Sequence, residues 1–247
     1  FAKLYNNGTI NAGYQTDTSV IKAAGIGVSN TTAAVEYALL FNHGGFVYDT
    51  TGASYSNALF QFTGTIFDIG TYDVTLSRVY NYADFTFSSN YYTAISPLYR
   101  SLNNSSTLIR YSANFGDIYY WNNSGGTTIS LATSLYISGI TSSQNVSLQN
   151  VVNEGNITFV NVNVGTNPVY ISGMTNQLSS GKVIKNSINE GNIVFASISG
   201  SGNLYVAGVT NNNASGDLQN LGPSETQPIA TIGIINTINY GNITTSY

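Results

Sequence analysis

A five-residue signature, Asn-x-Gly-x-Ile, recurs along this chain and restricts its fold more than any other feature. It reads in full at 6–10, 114–118, 153–157, 189–193 and 239–243. At 42–46 a Phe replaces the Ile, and at 81–85 Ala83 also replaces the Gly. The Asn positions 6, 42, 81, 114, 153, 189 and 239 are separated by 36, 39, 33, 39, 36 and 50 residues. A period of this size marks a structural unit that buries its apolar face only by stacking on its neighbours.

Each period holds three short apolar or alternating runs broken by Gly, Asn and Ser. They are 9–12, 20–28 and 34–41 in the first period. In the fifth they are 157–162, 169–174 and 183–188, and in the sixth 193–198, 204–209 and 229–238. β-branched and aromatic residues at period two, bounded by turn formers, read as strands. Three strands per period predict an all-β chain, a parallel β-helix of about six three-strand coils. Right-handed winding is expected, the usual sense of parallel crossovers. Residues 1–247 read as one solenoid, irregular over 1–113 and regular over 114–247. A competing reading makes 31–40 a Thr-capped helix, because Ala-Ala-Val-Glu-Tyr-Ala-Leu-Leu is helix-friendly.

The repeated residues Asn6, Asn42, Asn81, Asn114, Asn153, Asn189 and Asn239 are expected to stack as a hydrogen-bonded ladder. The Gly that follows is expected to take φ > 0, and the following Ile or Phe to point inward. The residue between Asn and Gly varies (Asn7, His43, Tyr82, Phe115, Glu154, Glu190, Tyr240), as an outward position should. A second landmark repeats at 136–141, 170–175 and 205–210, with Gly139, Gly173 and Gly208 inside it. Gly25 and Gly64 take that place earlier, and Pro97 takes it in coil three, where a bulge is expected because Pro lacks a ladder donor.

These residues resemble the GLUG repeat of large bacterial surface proteins. There an Asn-x-Gly-Asn-Val strand precedes a Tyr-Val-Gly-Gly-Leu-x-Gly strand. Gly155-Asn156-Ile157 with Gly173-Met174, and Gly191-Asn192-Ile193 with Gly208-Val209, occupy those places. The likeness is moderate over 114–247 and weak over 1–113, and Asn176 and Asn211 replace the final Gly. The resemblance implies a secreted or surface-exposed repeat protein of adhesin type. It carries over no catalytic residue.

Composition narrows the function classes. Charged residues are 7% of the chain and the net charge is -4, so there is no basic stripe to displace counterions from nucleic acid. No apolar run approaches the ~20 residues of a membrane span. With no cysteine, disulfides, thiol catalysis and cysteine-ligated zinc are excluded. An Asn-, Thr- and Tyr-rich, charge-poor chain suits an extracellular or cell-surface location. Residues 1–5 align with 184–188, and 241–247 with the opening strand of a coil. The expectation is therefore a segment of a longer solenoid, or uncapped coils stacking end to end on copies of the chain.

Material for chemistry is sparse. His43 is the single histidine, and no nucleophile-elbow motif is present. Glu154 and Glu190 fall at one position of neighbouring coils, as do Asp84 and Asp117. The repeat itself produces both pairings. The expectation is no enzyme, no cofactor and no metal. The surface candidates are aromatic: Tyr119, Tyr120 and Trp121 at one strand, and Tyr91 and Tyr92 one coil earlier. Flanked by Asn, such rings suit contact with host glycans or matrix. The expected role is a structural or adhesive rod of a surface protein. The alternatives are a filament or sheath subunit and, less favoured, a carbohydrate-active or phage tail-spike domain.

Overall fold

A computed structural model describes residues 3–12, 21–30, 32–49, 60–88, 93–101, 106–121, 134–213, 217–219 and 232–246. Every regular element among them is a β-strand, and every strand pairing is parallel, all but one of them to the equivalent strand of the next coil. The chain is a parallel β-solenoid. The segment Val35–Asn42 is a strand paired along its length with Val74–Asn81, so the competing helix does not form among the described residues. Its apolar pattern is decided by pairing with the next coil, which overrides helix propensity.

A turn of the solenoid visits four faces, one more than the three runs suggested. Face I stacks Ile10–Ala12, Phe46–Asp49, Phe85–Ser88, Ile118–Trp121, Ile157–Asn163, Ile193–Ser199 and Ile243–Ser246. Face II stacks Ile21–Ala24, Phe60–Thr63, Thr93–Ser96, Leu135–Ser138, Val169–Ser172 and Leu204–Ala207. Face III is short, running from Gly27–Ser29 through Ile66–Asp68 and Tyr99–Ser101. The lone bridging residue Thr141 then leads to Thr175–Leu178 and Thr210–Asn213. Face IV carries the strands that end in the repeated Asn, from Leu4–Asn6 to Ile238–Asn239. The turn count differs from the six expected according to the face: seven strands stack on face I, six on face II, and face III divides in two. Asp217–Gln219 adds one further strand against Ile232–Ile235 on face IV.

The apolar interior has two lobes. Faces I and II enclose Phe46, Phe62, Phe87, Ile137, Phe159 and their neighbours. Faces III and IV enclose Leu76, Leu98, Tyr99, Ile140, Leu148 and Met174. Between the lobes the cross-section narrows to a polar waist. There the repeated Asn side chains meet the glycine corner that joins faces II and III. A Cβ on Gly173 would lie 2.2 Å from the Gly208 carbonyl oxygen and 2.5 Å from Asn189 Nδ2. On Gly64 it would lie 2.3 Å from the Pro97 oxygen and 2.4 Å from Asn81 Oδ1. At Gly64 and Gly173 this approach of corner to ladder leaves no room for a Cβ.

Close approach also explains the Gly of the signature, and the explanation is not the one expected. Gly44, Gly155 and Gly191 are not among the residues with positive φ. A Cβ on Gly155 would sit 2.0 Å from the Gly116 carbonyl oxygen, and one on Gly191 2.0 Å from that of Gly155. The Gly is kept because successive turns touch through their backbones. Besides Asn161 and Ser197 on face I, the left-handed non-glycine backbone falls at a corner within face IV occupied by Leu39, Arg78, Tyr111, Asn150, Asn186 and Asn236. Later coils fill that corner with Asn, which tolerates this conformation. Earlier coils force Leu, Arg and Tyr into it.

Coil three does not bulge at Pro97. Thr93, Ala94 and Ile95 keep register with Leu135, Tyr136 and Ile137, and Tyr99 still bridges Thr141. Pro97 sits in the corner between two faces, not within a ladder. What it removes is one corner bond, the kind Gly64 donates to Ser96 at 3.2 Å and Gly139 to Ser172 at 3.0 Å. The next amide, Leu98, resumes pairing with the Ile140 carbonyl at 3.0 Å.

Candidate functional site

The Asn ladder forms through all seven copies of the signature, joined by six bonds. Asn6 Nδ2 donates to Asn42 Oδ1 at 2.7 Å, and the pattern repeats from Asn42 to Asn81 (2.7 Å), Asn81 to Asn114 (2.8 Å) and Asn114 to Asn153 (2.9 Å). It continues from Asn153 to Asn189 (2.7 Å) and Asn189 to Asn239 (2.6 Å). The second amide hydrogen bonds the carbonyl two residues on, for example Asn114 to Gly116 at 3.0 Å and Asn153 to Gly155 at 3.1 Å. Asn42, Asn81, Asn114, Asn153 and Asn189 are buried. Buried amides are tolerated because donors and acceptor are all used.

A second ladder runs outside the first. Asp84 Oδ1 accepts the Asp117 amide at 2.8 Å, and Asp117 Oδ1 accepts that of Asn156 at 2.7 Å. Asn156 Oδ1 then accepts from Asn192 at 3.0 Å, and Asn192 Oδ1 from Asn242 at 2.9 Å. The Asp84–Asp117 column is thus part of the backbone pairing. Among the described residues no group of three or more His, Asp or Glu is placed to hold a metal ion. Glu154 and Glu190 lie side by side on neighbouring coils, both exposed. His43 stacks on Tyr82 with centroids 4.5 Å apart, and Tyr82 stacks on Phe115 at 4.8 Å.

The expected aromatic site divides. On Ile118–Trp121 side chains alternate in and out. Tyr119 points out and is 40% exposed, and Trp121 is half-buried. Tyr120 is fully buried in the first lobe, stacked on Phe159 at 5.0 Å, so the surface role expected of it does not hold. Tyr91 and Tyr92 lie outside the described residues.

Another aromatic column lies on the outer side of face II. Tyr136, Tyr170 and Tyr205 stack with centroids 4.9 and 4.8 Å apart and planes within 7°. The sequence names these residues as a repeat landmark, yet their grouping on one outer face follows from the in-register stacking of three coils. Beside Tyr136 and Tyr170 opens a cleft of about 130 Å³, completed by Ser142, Gln144, Asn176 and Gln177. Asn176 is only 3% exposed and its Nδ2 has no hydrogen-bond partner. Its Oδ1 accepts from Asn211 Nδ2 at 3.1 Å. Ser142 is buried, held by Ser96 Oγ at 2.6 Å and by the Arg100 guanidinium.

In comparisons with known proteins, no family model, no curated protein and no solved structure matches the chain.

Proposed function

We propose that this chain is a non-catalytic structural segment of an extracellular surface protein, a rigid rod that presents its connecting segments and outward aromatic residues to host glycans or matrix. The unbroken seven-rung Asn ladder carries this reading. Its bonds run along the axis and resist both bending and slippage between coils, and a stiff rod needs that resistance. The GLUG-like signature fits the same role.

Variation in repeat length is concentrated in two places. One is the face I to face II connection: 13–20, 50–59, 89–92, 122–134, 164–168 and 200–203. The other is the final passage to face IV, 214–231, which includes Asp217–Gln219. A scaffold constant in its coils and variable only at these connections is suited to display.

The test is to replace 122–134 with the shorter 164–168 connection and to coat beads with either chain. Wild-type beads should adhere to mucin- or matrix-coated glass, and the replacement should weaken adhesion while changing unfolding free energy by under about 1 kcal/mol. Absence of adhesion by the wild-type chain would sink the reading.

A further inference from the structure

The cleft at Tyr136 and Tyr170 has a structural origin that suggests what it binds. Thr141, Thr175 and Thr210 occupy one position in successive coils, so Ser142, Asn176 and Asn211 do as well. Asn211 donates to Asn176, and also to the Ile171 carbonyl at 2.9 Å. This is the start of a third amide ladder. One coil earlier the column reaches Ser142, whose side chain is shorter and is already engaged with Ser96 and Arg100. The rung is missing. A 97%-buried amide donor is left unpartnered, and a cleft opens beside it.

We infer that this gap is a binding site for a neutral pyranose, the terminal sugar of a glycan, with Asn176 Nδ2 donating to a ring-substituent oxygen. A buried unpaired donor costs about 1–3 kcal/mol until an acceptor arrives. The six lining residues are two phenols, three amides and one hydroxyl, with no charged side chain among them. Such a set offers donors and acceptors together and suits a ligand whose hydroxyls do both. Gln144 and Gln177, whose amides both donate and accept, also line the cleft. Tyr170 is covered on both faces, by Tyr136 and by Tyr205, so it brings its ring edge and hydroxyl to the rim. The inference rests on the adhesive reading and gives it a ligand class.

The experiment is saturation-transfer NMR on the soluble chain with N-acetylglucosamine, methyl α-mannopyranoside and methyl β-galactopyranoside. It is repeated on Ser142→Asn, which supplies the missing rung and fills the cleft. At least one probe should show transfer, and Ser142→Asn should weaken it at least tenfold with no fall in melting temperature. Asn176→Ser, which deletes the donor, gives a second route to the same loss should Ser142→Asn fail to fold. No transfer from any probe overturns the inference, and so does equal transfer to wild type and variant. A crystal grown in saturating sugar that shows only water on Asn176 Nδ2 overturns it as well. Because the measurement needs no adhering surface, its failure is distinguishable from failure of the bead assay.

Discussion

At the scale of single residues, the buried amides and the strained corner make opposite predictions. Asn114→Ala removes the acceptor of Asn81 Nδ2, the donor to Asn153 Oδ1 and the donor to the Gly116 carbonyl. Three buried groups lose partners, and leaving even one unsatisfied costs about 1–3 kcal/mol. Urea unfolding of Asn114→Ala should therefore show a loss of at least about 3 kcal/mol. Arg78 is exposed and held at φ 57°, where the equivalent coils place Asn150, Asn186 and Asn236. Arg78→Asn should raise stability by about 0.5–1 kcal/mol, since Asn enters this conformation with less strain. A neutral or destabilising result would mean that Arg78 makes a compensating contact.

At the scale of elements, the glycine corner limits what each turn accepts. Gly173→Ala places a methyl group against the Gly208 carbonyl and the Asn189 amide, both parts of stiff columns. Overpacking of this kind costs about 1–3 kcal/mol, and the loss should appear as a lower urea midpoint. Face IV shows how one corner alters strand length. Val35–Asn42 and Val74–Asn81 run through the left-handed residue as single strands, whereas Thr107–Arg110 and Ala113–Asn114 stand apart across it. The single ion pair among the described residues, Arg110 to Glu36 at 3.0 Å, is exposed and adds little by comparison.

At the scale of the molecule, the main-chain ladders link each turn to its immediate neighbours, so stability spreads along the axis in nearest-neighbour steps. Amide exchange should be slowest in the central strands Ile118–Trp121 and Ile157–Asn163, which pair on both sides. Asn114→Ala should quicken exchange most in the coils holding Asn81 and Asn153, and less in those further away. Uniform acceleration would show that the solenoid opens as one unit.

The sequence alone determined the periodicity, the strand character of the runs and the Asn column, because a one-dimensional stack writes each inter-coil contact into the spacing of the repeat. It also exposed the position of Gly25, Gly64 and Gly139, though not its purpose. Tertiary structure decided what depends on distances across a turn. Backbone contact between successive turns assigned the signature glycines to close approach and not to φ > 0, and the corner between faces II and III absorbed Pro97 without a bulge. Alternation left open which of Tyr119 and Tyr120 points outward, and pairing of Tyr120 with Phe159 settled it. The candidate cleft was the least legible feature, because it arises from an absent rung. Nothing in the sequence singles out Ser142; its place in the column shows only beside Asn176 one coil on, with its unused donor.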